Sequence, residues 1–118
     1  MTYNKDIEKN NQIPRKSIGK ICREKHPDKI PIIVKYKNFV QKNGKKKLHF
    51  LFNEDHSYGY IISIIRRESS LSPDEGIVVF IDNTIPKGTD LAGALYNKYK
   101  DTQDDILYLT VTKENTFG

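Results

Sequence analysis

Apolar residues at every second position predict the first strand of the chain. The segment KIPIIVKYK (29–37) places apolar side chains at alternate positions from Ile30 to Tyr36, which is the period of a strand with one buried face. The opposite face carries Pro31 and Ile33, so it is more apolar than a face that meets only solvent. After a basic turn, NGKKK, the segment LHFLF (48–52) predicts a second strand with apolar residues on both faces.

Two later apolar runs predict strands, and one run between them fits two structures. The strand predictions are IVVFI (77–81) and ILYLTVT (106–112). Segment 58–65, YGYIISII, is rich in β-branched residues, which favours a strand, yet its apolar residues also follow helical spacing. Asp55 or Ser57 could cap such a helix. The pattern alone leaves this segment open.

The remaining elements are predicted to be helices. Residues 3–12 have a weak helical pattern that Pro14 interrupts. Residues 15–25 carry a narrow apolar stripe at helical spacing, and the residue before Pro27 is disfavoured in a helix. Segment 90–99, DLAGALYNKY, begins with an aspartate suited to capping and predicts a short helix.

The order of these elements predicts an α+β fold. Two helices, a strand hairpin, a crossing segment and two further strands give a four-stranded mixed sheet whose central strands run parallel. With a helix packed on one face, this is the ubiquitin-like β-grasp, here with two extra N-terminal helices. The length of 118 residues is that of a single domain.

Positive charge is concentrated in the first half of the chain, which indicates the kinds of partner the protein could bind. Residues 1–50 hold 14 Lys and Arg against 4 Asp and Glu, whereas residues 51–118 hold 6 against 11. This split indicates a face that meets acidic peptides, anionic lipids or nucleic acid, unless it is only a solvated lysine-rich surface.

No apolar run is long enough to span a membrane, and the start of the chain has no signal-peptide pattern. A single cysteine fits a reducing compartment, so we expect a cytoplasmic protein.

The chain has no strong signature of catalysis or metal binding. Cys22 and His26 are four residues apart, but two ligands do not make a metal site. Cys22 also has no evident base, and we interpret Asp104 and Asp105 as part of a solvated turn. We therefore expect no catalytic residue, no metal and no bound cofactor.

Several longer stretches resemble the ubiquitin-like autophagy modifiers of the autophagy-related ubiquitin-like protein 8 type. This family includes the GABA-receptor-associated proteins and the microtubule-associated-protein light chains. The similar stretches are RKSIGKICREKHPDKIPIIV, KKKLHFLF, IDNTIP, LYNKYK and ILYLTVTKENTFG, in family order over residues 15–118. The resemblance implies a helix at 57–68 and one ubiquitin-like domain over 1–118. Within it, 1–25 is a helical extension, 26–113 the β-grasp and 114–118 a flexible tail.

The resemblance implies a function for the end of the sequence. In the family, a terminal glycine is activated by an activating enzyme, passed to a conjugating enzyme and joined to phosphatidylethanolamine on autophagosome membranes. A cysteine protease processes and deconjugates family members. Here Gly118 is the implied lipidation residue, because glycine has no side chain to obstruct acyl transfer, and Phe117 is the implied handle for tail recognition.

The resemblance also implies a groove for cargo receptors and other autophagy proteins that carry short aromatic-x-x-aliphatic motifs. Such a peptide adds to the edge of strand 48–52. The implied first pocket is formed by Ile18, Cys22, Pro31, Ile33, Leu51 and Ile106. The implied second pocket and edge strand comprise His49, Phe50, Phe52, Ile61 and Ile64. Lys29 and Lys47 are the implied contacts of acidic residues that flank the motif.

Five positions depart from the usual family pattern. Ile18 stands where an acidic residue is usual, His26 where tyrosine is, and His49 where lysine is. Asn53 replaces a usual proline, and Glu68 replaces a usual basic residue. We therefore expect a more apolar first pocket and a less positive rim than in relatives.

Two other readings remain open at this stage. One is a ubiquitin-like peptide-binding scaffold that is never conjugated. The other is a nucleic-acid-binding module that uses the basic first half together with Tyr36, Phe39 and Phe50 for base stacking. The second reading requires those rings to be exposed beside lysines, and it gives Gly118 no role.

Overall fold

The computed structural model describes residues 18–39, 41 and 44–114, and it follows the predicted order of elements within them. The elements are α1 (Ile18–Lys25), β1 (Lys29–Lys37), β2 (Lys47–Asn53), α2 (Tyr58–Glu68), β3 (Ile77–Phe80), α3 (Ala92–Tyr99) and β4 (Leu107–Lys113). The predicted helix at 3–12, Phe117 and Gly118 lie outside the described residues.

The four strands form one mixed sheet in the order β2-β1-β4-β3. β1 pairs antiparallel with β2 and parallel with β4, and β3 pairs antiparallel with β4. The prediction of a four-stranded sheet with parallel central strands is therefore confirmed. This order also leaves β2 at one edge of the sheet, with β1 as its neighbour.

Segment 58–65 is helical, which settles the ambiguity of the sequence pattern. The Ser57 hydroxyl accepts a hydrogen bond from the Tyr60 N–H at 3.1 Å, so Ser57 is the N-cap of α2. Ile61 and Ile65, one turn apart, are fully buried against the inner face of the sheet in a single core. The helix implied by the family resemblance at 57–68 is confirmed.

A buried phenol fixes the start of α2 to the sheet. Tyr58 is 1% exposed, and its hydroxyl donates a hydrogen bond to the Val79 carbonyl of β3 at 2.7 Å. Burial raises the pKa of Tyr58 well above its ordinary value, so the hydroxyl stays protonated and acts as a donor. Helix and strand are thus joined by a specific polar contact within the core.

α1 lies against the outer face of the sheet, opposite α2, and Gly19 makes this possible. The Gly19 N–H donates to the Asp104 carbonyl at 2.7 Å. A Cβ atom on Gly19 would lie 2.0 Å from the Asp105 carbonyl oxygen, which is far inside van der Waals contact. A glycine is therefore required for the helix to approach this loop so closely.

Two predictions about acidic residues were wrong in detail. α3 begins at Ala92 rather than directly after a capping Asp90, whose carboxylate instead accepts the Lys87 N–H at 3.0 Å and closes the preceding loop. Asp104 is not solvated but only 2% exposed. Its carboxylate accepts the Ile106 N–H at 3.1 Å, because the turn folds back over its own side chain.

Candidate functional site

An apolar cavity of about 330 Å³ lies between α1 and the outer face of the sheet. All six residues of the implied first pocket surround it. The complete lining is Ile18, Gly19, Cys22, Pro31, Ile32, Ile33, His49, Phe50, Leu51 and Ile106.

Strand register brings the cavity floor together. Pro31 lies opposite Leu51, and Ile33 lies opposite His49, in the antiparallel pairing of β1 with β2. Because side chains alternate between the two faces of a strand, all four point away from the core. Their position explains the apolar second face of β1 that the sequence pattern left unaccounted for.

The helix supplies the opposite wall. Ile18 and Cys22 are four residues apart in α1 and therefore lie on one face of the helix. Sequence reasoning missed Gly19 as a wall residue. The available signal was a glycine inside the apolar stripe, which marks a close approach of the backbone to its neighbour.

The mouth of the cavity exposes large apolar side chains. Ile18 is 49% exposed and Leu51 is 48% exposed, although both contact an apolar cavity. A contiguous exposed apolar surface beside a cavity costs free energy in water and is typical of a binding site. An apolar side chain that entered here would cover both residues.

The edge of β2 lies directly beside this mouth. β2 has β1 as its neighbour on one side, and no other strand among the described residues pairs with its outer edge. Seven residues without a proline, Lys47–Asn53, present unpaired backbone groups there. An extended peptide can pair with this edge while it places a side chain in the cavity.

The residues implied for a second pocket are divided between core and surface. Phe52 is 4% exposed and Ile61 is fully buried, so both belong to the core. Phe50 and Ile64 are partly buried. Phe50 and His49 in fact line the first cavity. The second pocket stays a prediction, and a ligand side chain that used Phe52 or Ile61 would require a local opening of the core.

Positive charge surrounds the mouth unevenly. The Lys29 ammonium donates a hydrogen bond to the Asn53 side-chain carbonyl, so it is less available to an acidic ligand. Lys47 is exposed, and Lys35 lies directly across from it on β1. Like charges in such a cross-strand pair repel each other. Acidic residues of a ligand would relieve this repulsion, so Lys47 is better placed than Lys29 to meet them.

Catalytic and metal-binding features are sparse in the described part of the chain. No group of three or more His, Cys, Asp or Glu residues there could hold a metal ion. Cys22 is a free thiol, partly buried in the cavity wall. Within residues 18–39, 41 and 44–114, no helix combines the length and apolar character that a membrane span requires.

The aromatic residues proposed for base stacking pack on the protein itself. Tyr36, Phe39 and Phe50 are partly buried against the core. The ring of Tyr36 meets that of Phe39 edge to face at 5.2 Å, and its hydroxyl is hydrogen-bonded to the Ser69 hydroxyl. Phe50 lies 5.2 Å from Phe52. These contacts remove the main support for the nucleic-acid reading.

Comparison with known proteins agrees with this architecture. The family described as "Autophagy protein Atg8 ubiquitin like" matches residues 14–118. Autophagy-related protein 8A of Oryza sativa subsp. indica is 41% identical over 98 residues, which cover 81% of this chain and 80% of that protein. Autophagy-related protein 8 of Schizosaccharomyces pombe is 37% identical over 106 residues, covering 88% and 85%.

A solved structure extends the agreement to the fold. The crystal structure of Trypanosoma brucei ATG8 matches with a TM-score of 0.71 at 26% identity, covering 99% of this chain and 96% of that one. The family match spans the cavity, the β2 edge and the C-terminal glycine. The chain therefore belongs to the Atg8 family of ubiquitin-like autophagy proteins.

Proposed function

We propose that this autophagy protein is a modifier joined through Gly118 to phosphatidylethanolamine, which then recruits proteins with aromatic-x-x-aliphatic motifs to the membrane. The observation that carries the recruitment step is an open apolar cavity beside an unpaired strand edge. The family membership supports the conjugation step, since Gly118 falls within the matched residues.

The groove holds its ligand by two complementary interactions. The peptide backbone pairs with β2 and extends the sheet, which fixes the direction and register of the ligand. Its aromatic side chain enters the cavity between Ile18 and Leu51 and removes apolar surface from water. One buried ring contributes a few kcal/mol at most, so short motifs bind near micromolar, about −8 kcal/mol.

The conjugation step needs no catalytic group on this chain. Partner enzymes activate the Gly118 carboxylate with ATP and carry it as a thioester. The lipid amine then attacks the thioester carbonyl, an amide bond forms and the thiolate leaves. Attachment of phosphatidylethanolamine supplies two acyl chains, which suffice for stable membrane residence where one chain is marginal.

Two variants test the two steps separately. Gly118→Ala, incubated with activating and conjugating enzymes and phosphatidylethanolamine vesicles, is expected to remain folded but to form no lipid adduct. Leu51→Ala is expected to form the adduct normally and to bind a motif peptide about tenfold more weakly, because it removes part of the cavity wall. Mass spectrometry measures the adduct, and calorimetric titration measures the peptide.

Each variant is the control for the other. A Gly118→Ala protein that gains lipid at the wild-type rate contradicts conjugation through this residue. If wild-type protein binds peptides but is never lipidated, the unconjugated-scaffold reading is correct. Peptide-induced NMR shifts confined to residues 87–93, far from β2, would contradict the groove.

A further inference from the structure

Basic side chains gather at the end of the molecule from which the chain leaves the sheet toward Gly118. β1 and β4 run parallel and end side by side at Lys37 and Lys113. β2 begins at the same end, because the Tyr36 N–H donates to the Lys46 carbonyl at 3.3 Å. We propose that this basic end, comprising Lys37, Lys46, Lys47, Arg67 and Lys113, docks on anionic lipid headgroups.

Helix α2 ends at the same place. The Tyr36 hydroxyl is hydrogen-bonded to the hydroxyl of Ser69, which immediately follows α2. Arg67, in the last turn, is therefore at the basic end, and its side chain is 71% exposed. Five cations thus lie at one end of the molecule, with Lys37 and Lys47 on the outer face of the sheet and Lys113 on the inner face.

Most of this charge is not neutralised within the fold. Lys37, Lys46 and Lys47 are exposed, and no ion-pair partner for them is present among the described residues. Lys113 pairs with Glu75 at 2.9 Å, and Arg67 lies 3.7 Å from Glu68, its neighbour in sequence. Among the described residues, the ammonium groups of Lys37, Lys46 and Lys47 therefore have no ion pair, while the exposed Glu68 and Glu114 offset part of the positive charge at this end.

The opposite end of the molecule carries charges of both signs. Glu54 follows β2 and donates its N–H to the carbonyl of Asp28, just before β1. Asp90 accepts the N–H of Tyr58 at the start of α2. Asp28, Glu54 and Asp55 are exposed there, together with Lys25 and Lys87. A negatively charged membrane therefore attracts the basic end more strongly than the opposite end, which orients the molecule with its basic end first.

The position of the tail makes this orientation useful. Gly118 is only the fourth residue after Glu114, and four residues of extended chain span at most about 14 Å. This step rests on the proposed function: once Gly118 is attached to lipid, the basic end is held at the bilayer, within reach of the surface potential. An anionic lipid is a better ligand than nucleic acid here, because the nearby rings of Tyr36 and Phe39 pack on the protein.

The test uses the full-length, unconjugated protein without any enzymes, so it does not depend on conjugation. Its binding to phosphatidylcholine vesicles is compared, at low ionic strength, with binding to vesicles that also contain phosphatidylserine. The test variant is Lys37→Gln with Lys46→Gln. Both lysines are outside the peptide groove. The matched control, Lys25→Gln with Lys87→Gln, removes the same charge from exposed sites elsewhere.

We expect wild-type protein to co-sediment only with the phosphatidylserine vesicles. Each lysine near an anionic surface raises the partition about fivefold, so the test pair should lose on the order of 30-fold. The control pair should lose less than about threefold, and added salt should release the wild-type protein. Circular dichroism melting of both variants verifies that they fold.

Four results would overturn the proposal. These are no binding of wild-type protein to the anionic vesicles, equal losses in the test and control pairs, and no loss in the test pair. The fourth is a test pair that weakens binding of a single-stranded oligonucleotide but not of vesicles, which would assign the surface to nucleic acid. Gly118→Ala should bind these vesicles like wild type, so a failure of lipid conjugation leaves this inference standing.

Discussion

At the residue scale, we expect Ile18 to influence which aromatic side chain the cavity accepts best. Ile18 lies at the mouth of the cavity and is half exposed. The other lining side chains are apolar apart from Cys22 and His49. A buried indole N–H or phenol O–H normally requires a hydrogen-bond partner. We therefore expect the cavity to favour phenylalanine, whose ring has no polar group to satisfy.

Replacing this residue should change the preference. We expect Ile18→Glu to weaken phenylalanine-anchored peptides and to improve tryptophan-anchored ones relative to them, because the carboxylate can accept the indole N–H. A single added hydrogen bond to a charged group suggests a shift of about tenfold in the ratio of the two affinities. Titration with two peptides that differ only in the aromatic residue measures the ratio, and an unchanged ratio contradicts the argument.

His49 lies at the rim of the cavity, where a charged side chain could contact a ligand. It is exposed on β2, two residues from Lys47 and on the same face. A lysine at this position would carry a full positive charge on a long, flexible side chain. His49→Lys should therefore raise the affinity for peptides with acidic residues before the aromatic, by about two- to fivefold. The same peptide with glutamines in place of the acids is the control, and an equal gain there would refute an electrostatic cause.

At the scale of elements, the site depends on how closely α1 approaches the loop before β4. Gly19→Ala places a Cβ 2.0 Å from the Asp105 carbonyl, so the helix must move away from the sheet. We expect a loss of about 1–3 kcal/mol in the free energy of unfolding, together with weaker peptide binding because one cavity wall shifts. Urea denaturation and peptide titration measure the two effects.

A second glycine provides the matched control for that variant. Gly59 lies in the first turn of α2, and a Cβ there would meet its nearest neighbour, the Gly88 carbonyl, at 3.4 Å. That distance is ordinary contact, and alanine favours a helix over glycine. Gly59→Ala should therefore leave stability unchanged or raise it. Equal losses in both variants would mean that the close approach of α1 is not the cause.

The strands were predictable from sequence because their pattern has one physical cause. Alternation from Ile30 to Tyr36 reflects a strand with one buried face, and the structure has that strand at Lys29–Lys37. The apolar pattern alone could not assign segment 58–65, because isoleucines fit strand and helix equally well, and only the family resemblance implied the helix. The Ser57 cap and the hydrogen bond from the Tyr58 hydroxyl to the Val79 carbonyl stabilise the helix. The bond to Val79 exists only in the folded protein, so the sequence pattern could not show it.

The candidate site was likewise only partly predictable from the sequence. Ile18 and Leu51 could be placed at one cavity through the family resemblance, and the structure brings them together there. The burial of Phe52 and Ile61 could not be foreseen, because it depends on how α2 packs over β2. Asp90 and Asp104 show the same limit, since their partners are set by loop conformation rather than by sequence spacing.

The molecule as a whole separates its proposed tasks in space. The tail leaves at the basic end, whereas the cavity lies on the outer face of the sheet beside α1. β2 links the two, because Lys47 at its start belongs to the basic end and Leu51 further along belongs to the cavity mouth. A peptide can therefore bind along β2 while the basic end of the molecule faces a membrane.

The basic end also contains an ionisable group, Glu75, that should contribute to the pH dependence of stability in acid. The Glu75 carboxylate accepts the Ser72 N–H at 2.8 Å and pairs with the Lys113 ammonium at 2.9 Å. It thereby ties the loop after α2 to the end of β4. These interactions, led by the Ser72 backbone N–H, lower the pKa of Glu75 from 4.5 to about 2.

The direction of this shift fixes the pH dependence. Since the unfolded chain binds the proton more readily, Glu75 stabilises the fold fully above pH 4.5 and loses that contribution as the pH falls toward about 2. Glu75→Gln should therefore be less stable than wild type at neutral pH, and the difference should shrink in that acidic interval. Urea unfolding at several pH values measures the difference in stability between Glu75→Gln and wild type.

Glu68→Gln, which removes only a neighbouring contact with Arg67 at 3.7 Å, serves as the control and should leave the pH dependence of stability nearly as in wild type. A Glu75→Gln protein whose stability deficit is the same at every pH would show that the carboxylate charge is not what holds this loop to β4.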